Sequence, residues 1–168
     1  MQFDEIGYCC FTPEDVLVSF GEQIKKEEPK VGEGVINLPS GSFTLKELEA
    51  VLNTLPVDIT FVGKDDEVKY FSETKDRIFV RTRAVIERKV QQCHPQKSVH
   101  IVEKILNEFK KGTKDSAEFW INLEGRLIYI RYFAVRDKEG NYLGTLEVTQ
   151  DITDIKKIEG EKRLLDWQ

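Results

Sequence analysis

The residues best able to do chemistry in this chain are three cysteines, Cys9, Cys10 and Cys93, and two histidines, His94 and His100. A closed zinc site needs about four convergent ligands, and an odd cysteine count with two neighbours adjacent in sequence gives no disulfide framework. Reduced thiols are the expectation, and no metal site follows. Cys93 and His94 share a Gln-Cys-His-Pro string, where sequence neighbours seldom face each other, so Cys93 reads as a packed cysteine and His94 as a cap or turn residue. The Gly32-Glu33-Gly34 fragment is not a phosphate loop, and Asp65 and Asp66 belong to a turn. No nucleophile elbow, zinc-binding histidine pair or kinase signature is present, so no catalytic residue is assigned and the chain is not expected to be an enzyme.

Composition sets the elements that must hold these residues. The chain has 168 residues, 40% hydrophobic and 33% charged, the balance of a folded soluble domain. Its net charge of −5 resides wholly in residues 1–40, which leaves a neutral body with no footprint for nucleic acid. The basic stretch containing Arg77, Arg81, Arg83, Arg88 and Lys89 reads as a solvated face. No apolar run reaches the roughly 18 residues of a membrane span, and the N-terminus is acidic where a signal peptide is basic. A cytoplasmic location without membrane association is the expectation.

Thr12 and Pro13 open a helix over residues 12–28, whose Val16, Leu17, Phe20 and Ile24 form an apolar stripe. Residues 30–42, interrupted by Gly32, Gly34, Pro39 and Gly41, read as a linker. A capping box of Thr44 and Glu47 opens a second amphipathic helix, which Pro56 ends and which is expected to lie against a core. Two short strands and a turn at Gly63-Lys64-Asp65-Asp66 follow, then short helices and connections over residues 72–92. A longer helix over residues 97–110 carries Val99, Ile101, Val102, Ile105, Leu106 and Phe109 on one side. At ~100° per residue, His100 points the other way, with Lys104 and Asn107.

Three strands, Ser116–Leu123, Arg126–Arg136 and Tyr142–Asp151, complete the pattern, joined by loops short enough for antiparallel hairpins. The middle strand is apolar on both faces, so each needs a cover: the long helix on one, the N-terminal helix or a partner chain on the other. Residues 155–168 space Ile155, Ile158 and Leu165 helically and read as the start of a C-terminal helix.

This order of elements resembles a PAS domain over roughly residues 44–154. The strings that carry the resemblance are Leu48-Glu49-Ala50-Val51-Leu52-Asn53-Thr54-Leu55-Pro56, the Gly63-Lys64-Asp65-Asp66 turn, Cys93-His94-Pro95, and the last strand ending in Asp151-Ile152-Thr153. Phe71-Ser72-Glu73-Thr74, Gln91-Gln92-Cys93-His94-Pro95 and Ile130-Arg131-Tyr132-Phe133-Ala134-Val135 resemble a bacterial and archaeal subgroup in which the PAS domain follows a hemerythrin-like helical region. Glu87 departs from that subgroup, which more usually has glycine there. A glycine with positive φ would leave Glu87 strained.

The resemblance implies an α+β fold, a five-stranded antiparallel sheet flanked by helices, to which residues 1–43 add an N-terminal helical extension and linker. It implies a sensory or interaction module with a closed cavity, for which apolar phase nominates Phe61, Tyr70, Ile101, Ile105, Ile128, Ile130 and Leu146. Asp151, Ile152 and Thr153 would relay the signal to the final helix. A homodimer is expected, because the N-terminal stripe and the doubly apolar strand suit a shared face. No cofactor is named. Heme held by a histidine on the long helix is the alternative, which the outward phase of His100 disfavours. A small-molecule enzyme is the third reading. A flavin photoreceptor does not fit, since Cys93 lies outside the required Asn-Cys-Arg helix.

Overall fold

The computed structural model describes residues 34–75 and 77–163; the helix expected over residues 12–28, with Cys9 and Cys10, lies outside them. In chain order come strands β1 (Val35–Leu38) and β2 (Gly41–Thr44), helix α1 (Leu45–Thr54), and strands β3 (Asp58–Gly63) and β4 (Val68–Phe71). A long connection with single 3₁₀ turns at Arg83–Val85 and Val90–Cys93 leads to helix α2 (Gln96–Lys111). Strands β5 (Ser116–Leu123), β6 (Arg126–Arg136) and β7 (Tyr142–Asp151) follow, then a 3₁₀ turn at Ile155–Lys157.

Strands β3 to β7 form one antiparallel sheet in the order β4-β3-β7-β6-β5, so the fold is the expected α+β arrangement with a five-stranded sheet. The last strand slots between β3 and β6 and joins the first hairpin to the C-terminal meander. Because side chains alternate across a strand, register sorts the residues into two faces. Phe71, Thr60, Glu147, Tyr132 and Ala117 share one cross-strand row, facing α2 and the connection. Tyr70, Phe61, Leu146, Phe133 and Ser116 share the row that faces the other way.

On the inner face, Val62, Val68, Phe71, Val85, Val90, Cys93 and Leu106 form one buried cluster, and Phe79, Ile128 and Ile130 form another. Helix α2 ends as its sequence indicates, at Gly112 with φ 72°, whose N–H donates to the carbonyls of Glu108 and Phe109. That left-handed position is one glycine adopts at no steric cost.

Four expectations need correction. Residues 35–44 are a two-stranded hairpin rather than linker: Pro39 and Ser40 make its turn, and the β-branched Val35 and Ile36 pair with Thr44 and Phe43. Helix α1 has its capping box, with the Glu47 N–H on Thr44 Oγ1 at 3.2 Å and the Thr44 N–H on the Glu47 carboxylate at 2.8 Å. However, no α1 residue is buried among the described residues, so its stripe meets no core there.

The C-terminal segment makes only the single 3₁₀ turn up to residue 163, and its Ile155 and Ile158 are exposed, so little apolar burial supports a longer helix there. A helix this short needs tertiary contacts to persist. Finally, the basic stretch is not a solvated face throughout. Arg77 Nη1 donates to the Ser72 carbonyl, its Nε to the Phe79 carbonyl and its Nη2 to Thr60 Oγ1, while Asp58 takes the Ile78 N–H and the Thr74 hydroxyl. This network binds the connection to β3, and a buried polar group is tolerable only with such partners.

Candidate functional site

Between α2 and the inner face of the sheet lies a cavity of about 280 Å³. Helix α2 contributes Ser98, Ile101, Val102, Ile105 and Leu106, the i, i+3, i+4 spacing of one helical face. The sheet contributes Val62, Phe119, Ile121, Ile130, Tyr132, Thr145 and Glu147, and the connection adds Phe79, Val90 and His94. Most of this lining is aliphatic or aromatic, with few polar groups, the usual character of a small-molecule pocket.

Glu147 brings a charge to that wall. Arg81 Nη2 reaches both its carboxylate oxygens at 3.1 Å, and the Thr149 hydroxyl donates to Oε1 at 3.4 Å. The Arg81 side chain is only 2% exposed, so this ion pair is desolvated and owes its tolerance to being matched. His94 Nδ1 lies 2.8 Å from the Val90 carbonyl. A carbonyl only accepts, so Nδ1 carries the proton and Nε2 is the unprotonated nitrogen of the neutral ring. Thus His94 serves the turn before α2 and also lines the cavity. The Tyr142 hydroxyl bonds Thr145 Oγ1 at 2.8 Å, fixing another polar group of the wall.

Of the residues nominated from sequence, Ile101, Ile105 and Ile130 line the cavity. Ile128 faces the same side but is fully buried with Phe79 and Ile130, as core rather than lining. Phe61, Tyr70 and Leu146 are corrected: they lie together on the opposite face, and Val62 and Thr145 take the inward positions. On β7 the polar phase, Thr145, Glu147 and Thr149, points inward, because Arg81 neutralises Glu147 there. The signal available was the matching polar phase of β3, Asp58 and Thr60, with arginines in the next segment.

The buried Tyr70 hydroxyl has no hydrogen-bond partner among the described residues, and burial pushes its pKa up. His100 is exposed on α2 and is absent from the cavity wall. The heme reading therefore has no support from the residue it needed.

The segment Asp151-Ile152-Thr153 is tied to the start of β6. The Ile152 N–H donates to the Leu127 carbonyl at 2.9 Å, and the Leu127 N–H donates to Thr153 Oγ1 at 2.8 Å. Thr153 in turn donates both its hydroxyl and its N–H to Asp151 Oδ1, which holds that carboxyl below the ordinary aspartate pKa. On the next inward row, Ile128 pairs with Asp151, and Ile130 of the cavity wall lies two residues along β6. The joint and the cavity thus share one strand.

Comparison with known proteins agrees with this geometry. The family model for the PAS domain matches residues 48–153. A crystal structure of a C-terminal domain from Streptococcus mutans is similar at 32% identity and a TM-score of 0.71, over 76% of this chain and 98% of that one. The PAS domain of BvgS from Bordetella pertussis shares the fold at 17% identity and a TM-score of 0.50, over 67% of this chain and 89% of its own. No curated protein matches the chain. The chain belongs to the PAS domain family.

Proposed function

We propose that this PAS domain is a sensory module whose cavity takes a small, largely apolar ligand, and whose occupancy is relayed through Asp151-Ile152-Thr153 to the C-terminal segment. The observation that carries this reading is the 280 Å³ apolar chamber between α2 and the sheet. A well-packed core leaves few voids larger than a water molecule, so such a chamber suits a ligand better than it suits structural core. A ligand shifts the module only if it prefers one of two states, and the shared strand β6 gives the preference a route to the joint.

The ligand-binding set in this reading is Ile101, Ile105 and Ile130 together with Val62, Phe79, Phe119 and Tyr132. Native mass spectrometry of freshly purified protein tests it. The expected spectrum contains a mass in excess of the chain that is lost on denaturation and is absent from an Ile105→Trp variant, whose indole fills the chamber. Equal masses for the two proteins, each corrected for its own sequence, would contradict it.

The module works as a homodimer in the cytoplasm in the same reading. Support comes from the outer face of the sheet, where Trp120 is 61% and Phe133 37% exposed among the described residues. Attachment to a hemerythrin-like helical region belongs to the proposal as well. It is supported by the sequence resemblance.

A further inference from the structure

Of the polar groups of the cavity wall, Ser98 donates to the Pro95 carbonyl and Thr145 is bonded to Tyr142, and the acceptors of Glu147 and His94 bear on what can bind. A carboxylate offers about four lone-pair positions. On Glu147, Oε1 takes Arg81 Nη2 and the Thr149 hydroxyl, whereas Oε2 takes Arg81 Nη2 alone. Among the described residues, one acceptor position of Oε2 therefore remains open. In the tautomer whose Nδ1–H donates to the Val90 carbonyl, Nε2 of His94 is a second acceptor. The positive charge of Arg81 is already matched by Glu147, so an incoming anion would face a carboxylate rather than an available guanidinium.

We infer that the cavity selects an uncharged molecule with an apolar body and one O–H or N–H donor, received by Glu147, and that it rejects carboxylates. This rests on the cavity being a ligand site, as proposed above. A chamber of about 280 Å³ lies at the small end of ligand pockets, which run from about 300 Å³ upward, and suits a molecule the size of a single substituted ring.

Three probes of equal non-hydrogen atom count separate the possibilities: para-ethylphenol, para-ethyltoluene and benzoate, each titrated into the full chain by two-dimensional amide NMR. The expected result is that para-ethylphenol binds at least about tenfold tighter than para-ethyltoluene, as a hydrogen bond to a charged group warrants, and that benzoate does not perturb the lining residues. In a double variant, Arg81→Met with Glu147→Met, which removes both charges together, the preference for the phenol is expected to vanish while para-ethyltoluene still binds. Equal binding of phenol and toluene, or benzoate as the tightest probe, overturns the selectivity and leaves the ligand site standing. Binding of no probe overturns both. Should the double variant not fold, the three affinities of the unaltered protein decide alone.

Discussion

Glu87 shows how one side chain can conflict with the backbone it occupies. Its φ is 66°, and the position is pinned because its N–H donates to the Val68 carbonyl while the Val68 N–H donates to the Arg88 carbonyl. The left-handed region costs a non-glycine residue roughly 1–2 kcal/mol, partly offset by the greater unfolded-state entropy of glycine. The side chain is exposed, so little contact is lost on removing it. Glu87→Gly is expected to stabilise the fold by about 1 kcal/mol in urea denaturation, and Glu87→Val to destabilise it.

Asp151 makes a second residue-scale prediction, this time on pH. Thr153 depresses its carboxyl pKa in the folded chain. The stability it lends is therefore fully present above the ordinary aspartate value of about 3.9 and is lost as pH falls through the lower folded value. The protection of the Thr153 amide relative to its intrinsic exchange rate should hold at neutral pH and fall only in that acid range. In Asp151→Ala that protection should be low throughout.

Among elements, the pairing of β3 with β7 leaves no room for a side chain at Gly144. A Cβ on Gly144 would sit 2.2 Å from the Val62 carbonyl oxygen and 2.8 Å from the Phe61 ring. The strands could not approach so closely with any side chain there. Gly144→Ala is expected to cost about 2–3 kcal/mol in thermal or chemical unfolding, as overpacking a rigid contact does. A loss below about 0.5 kcal/mol would mean that the strands can part.

From α1 to β7 the existence and order of the helices and strands were legible in the sequence, because capping, turn residues and helical period are local signals. The Thr44 capping box and the Gly112 stop are examples. Which face of a strand points inward was less legible. On β3 and β7 the alternation is clear, but its apolar phase, with Phe61 and Leu146, turns outward, and the phase of Thr60, Val62, Thr145 and Glu147 turns inward. The inward phase depends on the Arg81–Glu147 and Arg77–Asp58 contacts between distant segments, which no local pattern contains. The Pro39-Ser40 turn was likewise read as an interruption, when it is the bend of a hairpin.

At the scale of the molecule, the two proposed roles fall on opposite faces of the sheet. The inner face and α2 line the chamber, and the outer face presents Trp120, Tyr129 and Phe133. Burying that surface in a symmetric pair would stabilise association. Light scattering should report a dimer that Trp120→Glu converts to monomer without altering cavity binding; an unchanged dimer would place the interface elsewhere. The central claim is that cavity occupancy reaches the C-terminal joint. Hydrogen exchange of the full chain with and without a saturating cavity ligand such as para-ethylphenol tests it most directly. The account predicts that the Ile152 and Thr153 amides change their exchange rates together with the amides of the cavity wall, and a change confined to the wall would contradict it.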